Sequence, residues 1–241
     1  MPDFTAVPGS AARIWIDEFE LSQQSSGAEF QAELTTESYN IMGQSAVQQY
    51  AATPSFSIPH HGYYTGHGAT PNLGYFEEAL YARLGTTLPV TVTLILGPIT
   101  YTMFGSWGTQ LTIDAPVEGL ITMDGNWASP DSIRRGAFVA SQAFPTQGLN
   151  STPVDLGAAN IANAIVVHAH GFTGAEVVTV AVQTASTVNG SYTPWLTASL
   201  TGPKAAVVLG GGAHGQFARA LVTLPGGLPT GVNVMAAMLY I

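Results

Sequence analysis

The stretch RIWIDEFEL, residues 13–21, decides the class of fold. Its apolar residues Ile14 and Ile16, followed by Phe19 and Leu21, alternate with polar ones apart from one irregularity in the middle. Alternation with a period of two is typical of a strand that buries one face. The stretch therefore predicts a half-buried strand, and such a strand needs neighbours in a sheet.

Similar patterns on the C-terminal side supply those neighbours. The stretch PVTVTLIL at 89–96 is β-branched and nearly all apolar, as in a central strand that is buried on both faces. One helix is predicted at 74–85, where Phe76, Leu80 and Leu84 recur at a spacing of four. The remaining strands of the first half are predicted at 29–34, 55–58, 101–104, 109–113 and 117–127.

The rear part of the chain repeats short apolar stretches at the spacing of a sandwich. Before it, residues 129–152 are rich in proline and glycine and hold the adjacent Arg134 and Arg135, which predicts a linker, part of which could pack as a strand. The final run NVMAAMLYI is expected to pair in a sheet rather than fray. The rear strands are predicted at 164–170, 177–183, 195–200, 205–209, 217–224 and 232–241.

The chain is therefore predicted to be all-β with one short helix, in two domains. Residues 1–150 form the first domain, with the linker at about 129–152, and residues 153–241 form a β-sandwich. Charge supports the division, because thirteen of the fifteen acidic residues lie in the first 150 and the rest of the chain is neutral.

The net charge of −9 constrains the partners of the chain. Six basic residues are too few for a surface that grips nucleic acid, since phosphate binding needs clustered Lys and Arg. A negative wall repels phosphates and would let DNA slide past without sticking. The simpler alternative is that the charge only keeps the protein in solution.

Composition excludes further classes. The absence of cysteine excludes disulfides and thiolate metal sites. No apolar run approaches the roughly 20 residues of a membrane helix, so no membrane partner is expected. The start MPDFTAVPGSAARIW lacks the pattern of a signal peptide, so secretion by that route is not expected.

The run HHGYYTGHG at 60–68 is the densest group of side chains that could bind a metal ion or take part in catalysis. His60, His61 and His67 are weak candidates for metal ligands, because no acidic residue lies near them in sequence and adjacent strand residues point to opposite faces. The favoured interpretation is a glycine-rich, aromatic loop that contacts another subunit. No metal site is predicted.

The other polar groups also fall short of a catalytic site. His168 and His170 are interpreted as an exposed strand face, and the run GGGAHG at 210–215 as a turn. Asp17, Glu18 and Glu20 are interpreted as a solvated edge, and no GxSxG nucleophile elbow occurs. The chain is expected not to be an enzyme and to need no cofactor.

The order of these pieces resembles the tail tube proteins of long-tailed bacteriophages over most of residues 13–127. The resemblance rests on WIDEFELS at 15–22 and LTTESYNIMGQSAVQQY at 34–50, followed by the strand at 55–58, the helix at 75–84 and the strand at 90–96. The rear half, with VDLGA at 154–158, AIVVHAHG and TVNGSYTPW, is similar to a sandwich that some of these proteins carry as an appendage.

This resemblance implies a structural virion protein that forms stacked, hexameric rings. Its partners would be copies of itself, other tail proteins and DNA that passes through the lumen at ejection; it would be assembled in the host cytoplasm and located in the virion tail. Deleting residues 153–241 is expected to leave ring formation intact. The acidic candidates for the lumen wall are Glu18, Glu29, Glu33, Asp114, Glu118 and Asp124.

Two alternatives stay open. The first is a carbohydrate- or surface-binding module that offers the aromatic faces of Tyr192, Trp195, Phe217 and Tyr240. The second is a capsid decoration protein or a tail terminator, which would share the fold but stop at one ring. A binding module should be monomeric, whereas a tube protein should assemble.

Overall fold

A computed structural model defines the fold. It describes residues 12–22, 25–40, 47–63, 81, 83–84, 89–129, 133–144, 149–172, 176–210, 212–224 and 232–240, and in the strands it leaves out the side chains of residues 34–40 and 47–53.

The described residues are nearly all β-structure, which confirms the predicted fold class. The first nine strands are β1 (Ala12–Ile16), β2 (Phe19–Glu20), β3 (Ser25–Ala28), β4 (Gln31–Asn40), β5 (Val47–Tyr63), β6 (Val90–Leu96), β7 (Ile99–Asp114), β8 (Thr122–Ser129) and β9 (Ile133–Phe144). The other eight are β10 (Leu149–Asn150), β11 (Val154–Asp155), β12 (Ala162–His170), β13 (Val177–Ala185), β14 (Thr193–Thr201), β15 (Lys204–Leu209), β16 (Phe217–Thr223) and β17 (Val232–Tyr240).

These strands form two antiparallel sheets. The main path of the larger sheet runs β15-β12-β17-β9-β7-β6-β1-β2, and at β7 a branch leads through β8 to β5, which pairs with β3 and β4. The smaller sheet has the order β10-β16-β13-β14, with β11 also on β16. The long strand β7 therefore belongs to both arms of the larger sheet.

The opening stretch forms a hairpin rather than the single strand that was predicted. Trp15 pairs with Glu20 and Ile16 with Phe19, so the irregularity in the alternation is a turn. Asp17 has a φ of 46°, in the left-handed region that a non-glycine residue seldom adopts. The turn is held by two hydrogen bonds between Asp17 and Thr91, one in each direction.

Residues 133–144 of the predicted linker form the twelve-residue strand β9. On one side β9 pairs with β7, and on the other it pairs with β17 from Gly136 to Phe144. Strands from both sides of the predicted domain boundary therefore share one sheet. The division into two domains stays a prediction.

Two further expectations about the first half need correction. The stretches 101–104 and 109–113 belong to one strand, β7. The predicted strand at 117–127 begins only at Thr122, because residues 115–121 form an exposed loop. Of the predicted helix, Tyr81 and Arg83 are helical, and most of the other residues lie outside the described part.

The rear strands lie where the alternation placed them, and their core fills the space between the two sheets. Val180 and Val182 of the smaller sheet pack with Ile165 and Val167 of β12 and with Phe144 of β9. The terminal strand β17 pairs with β9 and β12, which confirms that the end of the chain is tied into a sheet.

A smaller cluster of buried apolar side chains joins the first hairpin to the rear strands. Trp15 is completely buried and packs with Ile95 against Val166, Met235 and Leu239 of β12 and β17. The larger sheet therefore has apolar packing on both faces in this region. No helix in the described part of the chain is long and apolar enough to cross a membrane.

Candidate functional site

The structure places the six lumen candidates in two different situations. Four are exposed, namely Glu29 and Glu33 at the start of β4, Asp114 at the end of β7 and Glu118 in the following loop. Gln31 donates a hydrogen bond to Glu29 over 3.3 Å. Which of these carboxylates face a lumen stays a prediction.

The other two candidates each contact a side chain on another segment of the chain. The Arg83 guanidinium lies 3.2 Å from one carboxylate oxygen of Glu18. Asp124 lies 2.6 Å from Nδ1 of His61 on the neighbouring strand β5. Because Arg83 is a cation, Glu18 is a weaker source of the repulsive charge that a DNA passage needs.

A two-stranded ribbon extends from the sheet next to Glu33. Residues 33–40 of β4 pair with residues 47–55 of β5, whereas β8 pairs with β5 only from Phe56 onward. In the described part of the chain, the other edge of β4 pairs with no strand. We call residues 33–40 and 47–55 the ribbon. Its backbone donors and acceptors are available to another chain.

The two adjacent histidines of the HHGYYTGHG run lie in β5 rather than in a loop, so the loop interpretation was wrong for residues 60–63. His60 is buried and hydrogen-bonded to Ser25, while His61 is half-buried and contacts Asp124. His67 lies outside the described residues. Among the described residues no group of three His, Cys, Asp or Glu side chains could hold a metal ion.

His168 is buried, so its interpretation as part of an exposed face was wrong. Its Nδ1–H donates to the carbonyl oxygen of Asp17 over 2.8 Å, and its Nε2 accepts a hydrogen bond from the hydroxyl of Thr93 over 2.8 Å. Trp15 covers both His168 and His170, with ring centroids 5.9 Å and 5.4 Å away. These contacts fasten the first turn of the chain to β12.

Burial shifts the pKa values of three titratable groups, Asp17, His168 and His60. Burial raises the pKa of the Asp17 carboxyl to about 6, against the hydrogen bond from Thr91 and the charge of Arg83. Burial lowers the pKa of His168 to about 4, and the carbonyl of Asp17 acts in the opposite direction. Burial also lowers the pKa of His60 to about 3, helped by the neighbouring His61.

These shifts predict that acid weakens the fold between about pH 6.5 and pH 4. His60 and His168 bind protons less tightly in the folded than in the unfolded chain, so the stability they contribute above pH 6.5 is lost on acidification. Asp17 has the opposite sign: its contribution is present below pH 3.8 and is lost as the pH rises through 6. Burial also lowers the pKa of His170 and raises the pKa of Glu20, so His170 has the sign of the other histidines and Glu20 that of Asp17. Three histidines outweigh two carboxyls, so the net free energy of unfolding should fall.

Urea unfolding at pH 7, 5.5 and 4.5 measures this dependence. The midpoint should decrease at each step, and His168→Gln should make the decrease shallower because one of the three histidines is removed. A midpoint that is constant or rises toward pH 4.5 would contradict the burial of these histidines.

The rear aromatic residues are largely engaged within the chain. The guanidinium of Arg219 lies 4.3 Å from the centroid of the Tyr192 ring. Trp195 donates a hydrogen bond to the carbonyl of Gly212, and its ring lies 4.9 Å from that of His214. Tyr240 packs against the rear core. These contacts leave little free aromatic face for a sugar.

His214 has a structural role that the sequence did not reveal. The interpretation of 210–215 as a turn missed that this imidazole is buried. Its Nε2 accepts a hydrogen bond from the backbone N–H of Ala162 over 3.0 Å, and its own backbone N–H donates to Asn160 over 2.6 Å. The glycine-rich segment is therefore attached to the start of β12.

No family model and no curated protein matches the sequence. Among solved structures, the chain is similar to a protein of the virion of a native gene transfer agent particle, with 11% identity and a TM-score of 0.42 over 53% of this chain and 97% of that one. It is also similar to a chain of the sheath-tube complex of the PVC extracellular contractile injection system, with 13% identity and a TM-score of 0.41 over 55% of this chain and 92% of that one.

A third similarity is to the Dit protein of phage SPP1, described as a hub adsorption apparatus protein of phages that infect Gram-positive bacteria. The identity is 10% and the TM-score is 0.34, over 95% of this chain and 99% of that one. These TM-scores are too low to establish a shared fold.

Proposed function

We propose that the chain is a structural subunit of a bacteriophage tail, which assembles with copies of itself into stacked rings around a passage for DNA. The resemblance of residues 13–127 to tail tube proteins motivates the proposal, and the all-β fold agrees with it. Six subunits in each ring, contacts with other tail proteins and a place in the virion belong to the same proposal.

The ribbon is the observation that carries the proposal. A two-stranded hairpin is marginally stable in water by itself, and an open strand edge is a template for pairing with another chain. Here β4 has ten residues and pairs on one side only within the described part of the chain. Strands from a neighbouring subunit would complete the sheet, and repeating that contact around an axis would close a ring.

Two of the acidic candidates for the lumen wall lie close to this open edge in the sequence. Glu29 and Glu33 are exposed, and they lie immediately before and within the strand whose edge is open. If β4 pairs around a ring, these carboxylates repeat once per subunit along the same circle. Repeated negative charge keeps the DNA backbone from sticking to the wall.

Shortening the ribbon tests the proposal. Replacing residues 36–51 with Asn-Gly removes strand that pairs with no third strand in the described part of the chain, and Asn-Gly favours a tight hairpin turn. The shortened chain should be folded but monomeric, whereas the full chain should sediment as large species that grow with concentration.

The control is the cooperative unfolding of both proteins, followed by circular dichroism. If the shortened chain assembles as well as the full chain, the ribbon does not carry the subunit contact. If the full chain stays monomeric at every concentration, self-assembly itself is wrong for the isolated protein.

A further inference from the structure

The loop between β7 and β8, residues 115–121, presents apolar side chains to solvent. Val117 is 104% exposed and Leu120 is 70% exposed, and Ile113 at the end of β7 is 48% exposed. Glu118 lies between the two loop residues and is exposed as well. Three large exposed apolar side chains within eight residues are typical of a contact surface.

The loop also has two special backbone positions. Proline fixes φ at residue 116. Gly119 has a φ of 119°, a conformation that only glycine adopts readily.

An apolar groove lies elsewhere on the larger sheet. It has a volume of about 460 Å³ and is lined by Thr91, Phe104, Arg134, Val207 and Leu209. Leu209 is 66% exposed at the end of the edge strand β15. We call this feature the Arg134 groove.

The groove carries the positive charge of Arg134, for which the described residues provide no carboxylate partner. The guanidinium of Arg134 lies 5.8 Å from the centroid of the Phe104 ring. Its Nη1 atom is buried and makes no hydrogen bond within the part of the chain that the structure describes. An apolar groove with an uncompensated cation at its wall fits an apolar segment that contains one acidic residue.

We propose that the Arg134 groove receives the β7–β8 loop of a second copy of this chain. Val117 and Leu120 pack against Phe104, Val207 and Leu209 of the neighbour, and Glu118 pairs with Arg134. This proposal rests on the proposed function, which it deepens by naming a contact between subunits. It also removes Glu118 from the set of lumen candidates.

The loop of the same chain does not line the groove, which is why the proposed occupant is a second copy. Phe104 and Asp114 are ten residues apart on the strand β7. At about 3.3 Å per residue, this separation is at most roughly 30 Å. Since the loop and the groove are different surfaces, the contact is head-to-tail, and repeating it produces a ring or a filament.

Charge reversal tests the pairing of Glu118 with Arg134. Glu118→Arg and Arg134→Glu should each raise the concentration needed for assembly about tenfold or more, and the double variant should recover most of that loss. Arg135→Glu is the matched control, because Arg135 follows Arg134 on β9, is exposed and receives the same change of charge. The control should assemble like the unmodified chain.

Engineered cysteines test the contact directly, since the chain has no cysteine of its own. Val117→Cys and Leu209→Cys are made in separate proteins of different size, which are mixed and oxidised. The expected product is a disulfide between the two different proteins. Val188→Cys replaces Leu209→Cys in the control, because Val188 is also exposed at 48% and does not line the groove.

The outcomes separate the two proposals. If the unmodified chain assembles but both charge reversals assemble equally well, or if the control cysteine cross-links as efficiently as Leu209→Cys, this contact is wrong and the proposed function stands. If the unmodified chain does not assemble and no specific cross-link forms, both proposals fail for the isolated protein.

Discussion

A chain that ends at residue 152 is expected to be unfolded and to form no assembly. The truncation removes β17, the partner of β9 over residues 136–144. It also exposes Val139 and Phe144, which are 2% and 0% exposed in the full chain. Trp15 loses its cover on β12 and β17. The truncation removes the central strand β17 and the apolar packing on both faces of the sheet. The free energy lost in this way exceeds the marginal stability of a domain.

This expectation replaces the one drawn from the sequence alone, in which the front half formed rings by itself. Circular dichroism and urea unfolding of the truncated chain measure it, with the ribbon-shortened chain as a control that also loses residues but keeps the core. A truncated chain that unfolds cooperatively would show that residues 1–152 are an independent domain.

Trp15→Ala is expected to lower the free energy of unfolding by about 3–5 kcal/mol, the usual cost of removing a buried tryptophan. The side chain is completely buried and fills the contact between the first hairpin and the rear strands. Trp15→Phe should cost less, because the indole Nε1 has no hydrogen-bond partner among the described residues. Removing this N–H group therefore leaves no hydrogen-bond acceptor without its donor.

Urea unfolding compares these variants with Trp107→Ala, since Trp107 is 38% exposed and should contribute much less. Equal losses for Trp15→Ala and Trp107→Ala would contradict the burial of the first hairpin against β12 and β17.

Much of the fold could be predicted from the alternation of apolar and polar residues along the sequence. The rear strands and β6 were predicted to within a few residues, because their apolar residues follow the period of a strand. The turn at Asp17 was missed because it uses a positive φ without glycine. The bounds and partners of β9 were not predicted within the linker, because its pairing with β17 joins residues about ninety to a hundred positions apart and local alternation contains no information on such distant pairing.

Less of the candidate site could be predicted. His168 alternates like an exposed residue, but the turn at Asp17 packs on that face of β12 and buries it. The contacts of Glu18 with Arg83 and of Asp124 with His61 join residues that are 65 and 63 positions apart in the sequence. The direction in which Glu29 and Glu33 face depends on the arrangement of subunits, and one chain does not contain that information.

Negative-stain electron microscopy of the purified full-length chain at high concentration tests the central claim most directly. Self-assembly through the ribbon predicts stacked rings or hollow tubes, and the ribbon-shortened chain should show neither. A field of single particles the size of one subunit at every concentration would contradict the claim and would favour a monomeric binding module.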